Sequence, residues 1–359
     1  MHKKKVAIFA ISRDACALAR FSHLLSDDYE LSHLFVPRYM RLTNEDINRI
    51  DGGCLTGITC TDYHESLLAN NDILFMECCE SVNDIGLYQK VMHSALELGK
   101  EVILSRKLHD RLNAECWQND DKKSNAQYLV YDEIYDISVP VITVLSYGKN
   151  TDQFAIELGL RDIFLKNGYN IGQFGSRKFS SFCGFPHLPD FVFQPLDAYK
   201  KILLLNHYIK DYVDRSKPEV LILGVPGSIM KYSNCILEGM GVLPFIVNNA
   251  VKSDISIIST NYNSYNNDFF EEINIFGKYR FETPIEFFSI SNNMLDINMM
   301  KDNKMIKTVS LNSDFILREI EESLRSSSFT IFNALDHESS SSAYLRIIKT
   351  LVNNVNCIC

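Results

Sequence analysis

The chain has 359 residues, of which 46% are hydrophobic and 23% charged, a composition that is typical of globular proteins and excludes extended disorder. This length exceeds what one hydrophobic core usually serves, so we expect two domains. The net charge of −9 argues against a nucleic-acid binder, which needs basic surface to displace counterions from phosphates. No run approaches the ~20 apolar residues of a membrane span, which predicts a soluble, cytoplasmic protein without a membrane partner.

The ten cysteines are scattered along the chain. They form no C-x-x-C pair, and no two histidines stand at the spacing of a zinc site. The absence of these spacings predicts that there is no metal site. We expect the thiols to be reduced, which is the default state of cytoplasmic cysteines.

Strand-like and helix-like runs alternate over residues 1–117, which is the signature of a parallel sheet with helices on its faces. The predicted strands span 6–11, 30–36, 57–60, 72–77 and 101–105, and helices are predicted over 15–25 and 86–98. This alternation favours a Rossmann-like domain. The first turn, which contains Ser12 and Arg13, lacks the glycines of a dinucleotide fingerprint, so we expect no nicotinamide cofactor there.

Residues 118–138 lose this pattern and become polar and acidic, as expected of a linker. Residues 139–260 then predict a parallel α/β domain of P-loop-like type. Its strands are predicted over 139–146, 169–174, 218–224, 243–247 and 255–259, with helices over 153–167 and 196–215. Residues 261–359 alternate Asn-rich turns with short mixed segments, which we interpret as a small C-terminal lobe packed on the second domain. The predicted fold class is therefore α/β throughout.

The most informative segment is the turn between the first strand and the first helix of the second domain. It reads Gly148, Lys149, Asn150, Thr151 and Asp152, and Gln153 opens the helix. A strand, a glycine-containing turn and a helix N-terminus together form the setting in which backbone N–H groups bind phosphate. We therefore predict a phosphate site over residues 148–153. The alternative is an ordinary turn in which Thr151 or Asp152 caps the helix.

The turn departs from the Walker A pattern G-x-x-x-x-G-K-[ST] in either alignment. With Gly148 as the first glycine, Gln153 and the two residues after it replace Gly, Lys and the hydroxyl residue. With Gly148-Lys149 as the Gly-Lys pair, Asn150 shifts Thr151 by one position and no first glycine precedes the pair. The sequence therefore indicates an eroded P-loop.

Two later segments fit the same site. Gly224, Gly227 and Ser228 follow a predicted strand where a ligand could approach the backbone closely, although Gly224 occupies the usual acidic position of a Walker B strand. Metal-assisted hydrolysis is therefore not expected. Arg177 follows a neighbouring strand and is predicted either to bind an anionic group or to lie in a solvated basic turn.

Several runs resemble a family of peptide maturation system proteins. These are 148–154 (GKNTDQF), 158–161 (LGLR), 167–169 (NGY), 172–177 (GQFGSR), 224–228 (GVPGS) and 279–282 (YRFE). Members of that family occur in operons with a Cys-rich, bacteriocin-like precursor peptide and a radical SAM maturase. The resemblance implies an accessory role in the maturation of a ribosomally made peptide, with the precursor peptide and the maturase as partners.

The order of domains is also distantly similar to two-domain P-loop proteins of the D-amino-acid N-acetyltransferase type. That resemblance implies a nucleotide (ATP or GTP) or coenzyme A as cofactor over residues 148–153, and acyl or phosphoryl transfer as the reaction class if the protein is an enzyme. The alternative is a non-catalytic pseudoenzyme that binds the precursor peptide or the maturase. A third hypothesis is an oxidoreductase that uses the first domain. No catalytic residue is predicted, and the sequence is compatible with a homo-oligomer.

Overall fold

The computed structural model describes residues 3–79, 84–112, 132–234, 236–296, 308–324 and 327–356. The chain divides into two compact units, and each unit draws on separate stretches of the sequence. The first comprises Met1–Ile50, Leu55–Val130 and Ser181–Gly184, and the second comprises Asp51–Cys54, Tyr131–Ser180 and Phe185–Cys359. Both contain parallel strands and helices, which confirms the predicted α/β class. The predicted linker lies outside the described residues except for 132–138.

The first unit holds a five-stranded parallel sheet in the order β3-β2-β1-β4-β5. The strands are β1 Lys4–Phe9, β2 Tyr29–Val36, β3 Thr61–Asp62, β4 Ile73–Met76 and β5 Glu101–Leu104. The helices along this part of the chain are α1 Arg13–Arg20, α2 Asn48–Asp51, α3 Glu65–Leu68, α4 Ile85–Glu97 and α5 Arg106–Leu112. This strand order is that of the first five strands of a Rossmann fold.

The strand predicted over 57–60 is wrong, because the third strand is the short segment Thr61–Asp62. Residues 56 and 57, just before the predicted strand and at its start, are held in a turn by the carboxylate of Asp46. Asp46 accepts the N–H groups of Thr56 and Gly57 at 3.0 and 2.6 Å, which draws the backbone away from an extended course. The alternating pattern of residues 57–60 was too short to compete with these local hydrogen bonds.

The second unit holds a seven-stranded sheet in the order β11-β10-β9-β6-β8-β7, and β12 pairs with β10. Its strands are β6 Val141–Tyr147, β7 Ile171–Phe174, β8 Val220–Ser228, β9 Ile255–Tyr262, β10 Ile285–Leu295, β11 Thr308–Ser310 and β12 Thr330–Phe332. All pair in parallel except β11, which is antiparallel to β10. The residues after 260 therefore add strands to the same sheet as β6.

Six helices accompany this sheet in the described part of the chain. They are α6 Gln153–Lys166, α7 Ala198–Ser216, α8 Val242–Ala250, α9 Asn267–Phe281, α10 Ser313–Ser323 and α11 His337–Asn356. The strand predicted over 243–247 is wrong, because these residues belong to α8. Parallel neighbours need a crossover connection, and Pro244 is tolerated in the first turn of a helix, where its missing N–H would have no partner.

The strand order places β6 between β8 and β9, in the middle of the sheet. The chain leaves β6 towards β7 on one side, and it later passes from β8 to β9 on the other side. Side chains of β6 such as Val141 and Leu145 share a core with α7, α8 and α9, whereas α6 packs on α11. The carboxyl end of β6 is therefore a topological switch point, where open α/β sheets bind ligands.

Candidate functional site

The turn after β6 has an unusual backbone. Gly148, Asn150 and Asp152 all have positive φ angles, of 115°, 53° and 60°. Glycine is required at position 148 because a Cβ atom there would overlap the side-chain amide of Asn261. The turn is therefore shaped by close contact with the end of β9, and two of its non-glycine residues adopt the left-handed conformation.

Amide side chains from neighbouring strands hold the backbone of this turn. Asn261 accepts the N–H of Lys149 at 2.9 Å and donates to the carbonyl oxygen of the same residue at 2.7 Å. Asn293 donates to the carbonyl oxygens of Lys149 and Asn150, each at 3.1 Å. These contacts satisfy backbone groups of the kind that would otherwise face a ligand.

Residues of β8 hold the start of the same turn. The N–H of Gly148 donates to Ser228 Oγ at 3.2 Å. Ser146, two residues before Gly148, donates its hydroxyl to the carbonyl oxygen of Gly227 at 2.8 Å. Gly227 and Ser228 therefore lie next to the turn after β6, as the sequence predicts for these two segments.

The side chains of the turn are also engaged within the protein. Thr151 Oγ1 lies 2.6 Å from Ser259 Oγ, and Gln153 donates to the carbonyl oxygens of Val144 and Val225 at 2.7 Å each. Gln153 therefore bridges β6 and β8. Thr151 and Gln153 are each only 3% exposed. The hydroxyl and the amide are thus part of the packed interior of the unit.

Lys149 forms a partly buried ion pair. Its Nζ lies 3.5 Å from Oε1 of Glu238, and the two side chains are 14% and 20% exposed. Glu238 opens a stretch of four consecutive residues with positive φ, from Glu238 to Gly241. The ammonium group of Lys149, a residue of the predicted phosphate site, therefore already has a carboxylate beside it.

Asp152 occupies the N-cap position of α6, as the alternative of an ordinary turn predicted, but it is left-handed and its side chain makes no capping hydrogen bond. Its Oδ2 accepts instead the N–H of Asn292, at 3.3 Å. N-cap residues normally have an extended backbone that turns the side chain over the first N–H groups. In the described chain, no hydrogen bond is found for the N–H groups of Gln153 and Phe154.

A buried carboxylate that sequence reasoning missed lies beside Gly224. Glu157 of α6 is fully buried, and its Oε2 accepts the N–H of Ser176 at 3.0 Å. A Cβ atom on Gly224 would overlap this carboxylate, so glycine at the acidic Walker B position leaves room for an acid that comes from the helix. The signal in the sequence is a single Glu within the apolar run of residues 154–160. A buried charge in such a run needs specific partners.

Arg177 is not part of the turn after β6. It follows β7, which is separated from β6 by β8, and its Nη1 donates to the carbonyl oxygen of Ser176 at 3.3 Å. Arg177 directly follows Ser176, whose N–H donates to the buried Glu157 carboxylate.

Within the described residues no group of three or more His, Cys, Asp or Glu side chains could hold a metal ion. No helix there is long and apolar enough to cross a membrane.

These residues do not fit a magnesium nucleotide in the manner of P-loop NTPases. Such sites need an available hydroxyl and an acid at the end of the neighbouring strand to hold the metal. Here Thr151 is paired with Ser259, and Gly224 replaces the acid. We therefore derive no hydrolytic step at this turn.

Comparisons with known proteins bear on the fold alone. No family model matches the chain, and no curated protein matches it. A pseudomurein peptide ligase type C from Methanothermus fervidus aligns over 71% of this chain and 38% of its own, with 13% identity and a TM-score of 0.24, which is too low to carry an argument. A DUF1611 family protein from Anabaena variabilis aligns over 96% of this chain and 100% of its own, with 10% identity and a TM-score of 0.60. The chain therefore shares the α/β fold of that protein.

Proposed function

We propose that this protein is a non-catalytic accessory protein in the maturation of a ribosomally made peptide. In this role it binds the precursor peptide or its radical SAM maturase without turning over a nucleotide. The setting in peptide maturation comes from the sequence resemblance over residues 148–177 and 224–228. The non-catalytic character rests on one observation, which is that four polar groups of the turn are hydrogen-bonded within the protein: the N–H groups of Gly148 and Lys149, the hydroxyl of Thr151 and the side-chain amide of Gln153.

Three polar groups of this turn that could contact a phosphate have partners within the protein. The N–H of Lys149 is taken by Asn261, its ammonium group by Glu238, and the hydroxyl of Thr151 by Ser259. A phosphate group would have to displace these contacts, and breaking a buried hydrogen bond costs about 1 to 3 kcal/mol when a partner is left unsatisfied. This favours a structural turn over a site of turnover.

Capture by an immobilised precursor peptide tests the proposal. We expect the wild-type protein and Lys149→Ala to be retained equally, with no effect of added ATP, because the turn contributes structure and not a ligand site. A scrambled peptide of the same composition is the control. Retention that requires ATP, or that disappears in a folded Lys149→Ala variant, would show that the turn takes part in function and that the proposal is wrong.

A second candidate function is the binding of a phosphate-bearing cofactor, a nucleotide or coenzyme A, at the start of α6. One observation favours it. The N-terminus of this 14-residue helix has no side-chain cap, and Lys149 lies in the turn before it. A helix N-terminus carries about half a positive charge and is a common site for phosphate. If a reaction follows, the class would be acyl or phosphoryl transfer by positioning of the two substrates.

A thermal-shift screen with ATP, GTP, acetyl-CoA and CoA, each with and without Mg²⁺, tests this second candidate. A ligand that binds only the folded state stabilises it, by about 2.7 kcal/mol at a hundredfold excess over its dissociation constant. The second candidate predicts a raised melting temperature that is lost in Lys149→Ala. No shift with any of the four compounds would eliminate it and leave the non-catalytic role.

A further inference from the structure

A small cavity lies at the carboxyl end of β9, the strand next to β6. Its volume is about 90 Å³. The end of β9 and the turn after it line one side through residues 262–265, and Ile290, Glu319, Ser323 and Leu324 line the other. The carboxyl ends of parallel strands are where α/β folds bind ligands, so the cavity lies in the expected place for a small group.

Glu319 is the charged residue of this lining. Its Oε2 accepts a hydrogen bond from the hydroxyl of Tyr262 at 3.1 Å. Burial, followed by the neighbouring Glu319, raises the pKa of Tyr262, so the phenol remains a donor to the carboxylate at neutral pH. Within the part of the chain that the structure describes, no Lys, Arg or His pairs with Glu319. Among the described residues, the carboxylate of the cavity is therefore partly buried and hydrogen-bonded to Tyr262, without a cation beside it.

The helix that carries Glu319 adds to the negative potential. The cavity contacts the C-terminal end of α10 through Ser323 and Leu324, and this end of a helix carries about half a negative charge. Stable helices usually place basic residues in the last turn, but α10 has Glu321 and Glu322 near its end and no basic residue in that turn. Its one cation, Arg318, donates to a backbone carbonyl of the same helix.

We propose that this cavity binds a primary alkylammonium group, with Glu319 as its counter-ion. The ammonium group offers three N–H donors, and the carboxylate, the Tyr262 oxygen and the end of α10 provide acceptors around it. A volume of about 90 Å³ equals roughly three water molecules, which suits an ammonium group with its adjoining methylene groups. Glu319 is the single carboxylate of the lining, and within the described residues no group of three or more His, Cys, Asp or Glu side chains could hold a metal ion.

Such a group belongs either to a lysine side chain or to the N-terminus of a peptide. That a peptide supplies this ammonium group rests on the function proposed above. The preference of the cavity for an amine does not depend on that function. An ion pair formed in a partly buried cavity gains more than one formed in water, because the effective dielectric constant is lower. The cavity would therefore select a basic residue or a free N-terminus in the bound peptide.

Titration followed by NMR tests the inference on the full chain with three small probes. They are Nα-acetyl-lysine amide, which has a side-chain amine, alanine amide, which has an N-terminal amine, and Nα-acetyl-norleucine amide, which is uncharged and similar in shape to the lysine probe. We expect at least one amine probe to bind and norleucine to bind at least tenfold more weakly. The tighter of the two amine probes identifies the source of the ammonium group.

Glu319→Gln should weaken binding of the amine probe at least tenfold. Glu321→Gln is the matched control, since Glu321 is on the same helix but is exposed and outside the lining, and it should change binding less than twofold. Equal binding of norleucine, unchanged binding in a folded Glu319→Gln variant, or no binding of either amine at about 100 mM would each overturn the inference. Amine binding without capture by the precursor peptide would instead refute the peptide-binding form of the proposed function and leave this inference standing.

Discussion

At the scale of single residues, the contact between Gly224 and Glu157 gives a direct test of the packing between β8 and α6. A Cβ atom on Gly224 would overlap the buried carboxylate, and its backbone conformation needs no glycine for any other reason. We expect Gly224→Ala to destabilise the protein by about 3 kcal/mol, since overpacked cores shift at a cost of this order. Urea unfolding measures the loss of stability.

Two background variants separate this overlap from a general effect of the substitution. Glu157→Ala removes the colliding atoms, so Gly224→Ala should cost less than about 1 kcal/mol in that background, whereas Glu157→Gln keeps the same volume and should give no relief. Gly168→Ala is the control for glycine itself, because a Cβ there meets open space and pays only for its positive φ of 83°, about 1 kcal/mol. Equal costs in all backgrounds would contradict the proposed packing.

Asp46 provides a pH-dependent test at the same scale. Partial burial raises the pKa of this carboxyl, but hydrogen bonds from the N–H groups of Asn48, Thr56 and Gly57 outweigh that effect and lower the pKa below its usual value of 3.8. A carboxyl with a lowered pKa in the folded state stabilises the protein at neutral pH, and this stabilisation is lost as the pH falls through the folded pKa.

We therefore expect Asp46→Asn to cost on the order of 1 kcal/mol at pH 7, a modest value because the site is partly solvated. The difference from the wild type should shrink as the pH falls below 3.8. Urea titrations at pH 7 and at low pH measure it. Asp27→Asn is the control, since Asp27 is fully exposed and pairs with Lys3 at the surface. A difference that grows in acid would contradict the sign of the pKa shift.

At the scale of elements, the turn between β6 and α6 depends on residues from other strands. Asn261 makes two hydrogen bonds to the backbone of Lys149 and is fully buried. Replacing Asn261 by Ala leaves a buried N–H and a carbonyl oxygen without these partners, so we expect a loss of about 2 to 4 kcal/mol. Amide exchange at Lys149 should accelerate more than exchange in α7.

Asn249→Ala is the matched control for this element. Asn249 is exposed on α8 and donates only to a carbonyl of its own helix, so its replacement should change stability by no more than about 0.5 kcal/mol. If Asn261→Ala left both the stability and the exchange of Lys149 unchanged, the amide would not hold the turn.

The same turn illustrates what the sequence can and cannot predict. The buried run of β6, the glycine and the helical pattern that follows are local signals, so the strand, turn and helix were predictable from residues 139–167. Asn261 and Asn293 contact Lys149 from 112 and 144 residues away in the sequence, and no local pattern pairs an amide with a distant turn. The Glu157 contact with Gly224 was missed for the same reason, since it joins α6 to β8, and β7 and α7 lie between them in the sequence.

At the scale of the whole molecule, each unit includes a short segment from a distant part of the sequence. The first unit includes Ser181–Gly184, in which Phe182 packs against the rings of Tyr29 and Phe75 at centroid distances of 5.2 and 5.9 Å. The second includes Asp51–Cys54, in which the carbonyl oxygen of Gly52 accepts the N–H of Ser313 at 3.0 Å. A boundary drawn at one point of the sequence would remove a packed segment from each unit.

We therefore expect a fragment over residues 1–130 to be less stable than the same residues in the full chain, because the fragment lacks Phe182. The full-length variant Phe182→Ala is the point test. Phe182 is 3% exposed, and truncating a buried phenylalanine to alanine costs about 3 to 5 kcal/mol. Hydrogen exchange followed by mass spectrometry should show faster exchange in β2 and β4, the strands that carry Tyr29 and Phe75, in both the fragment and the variant. If the fragment protected those strands as well as the full chain does, residues 181–184 would be dispensable and the first unit would be a contiguous domain.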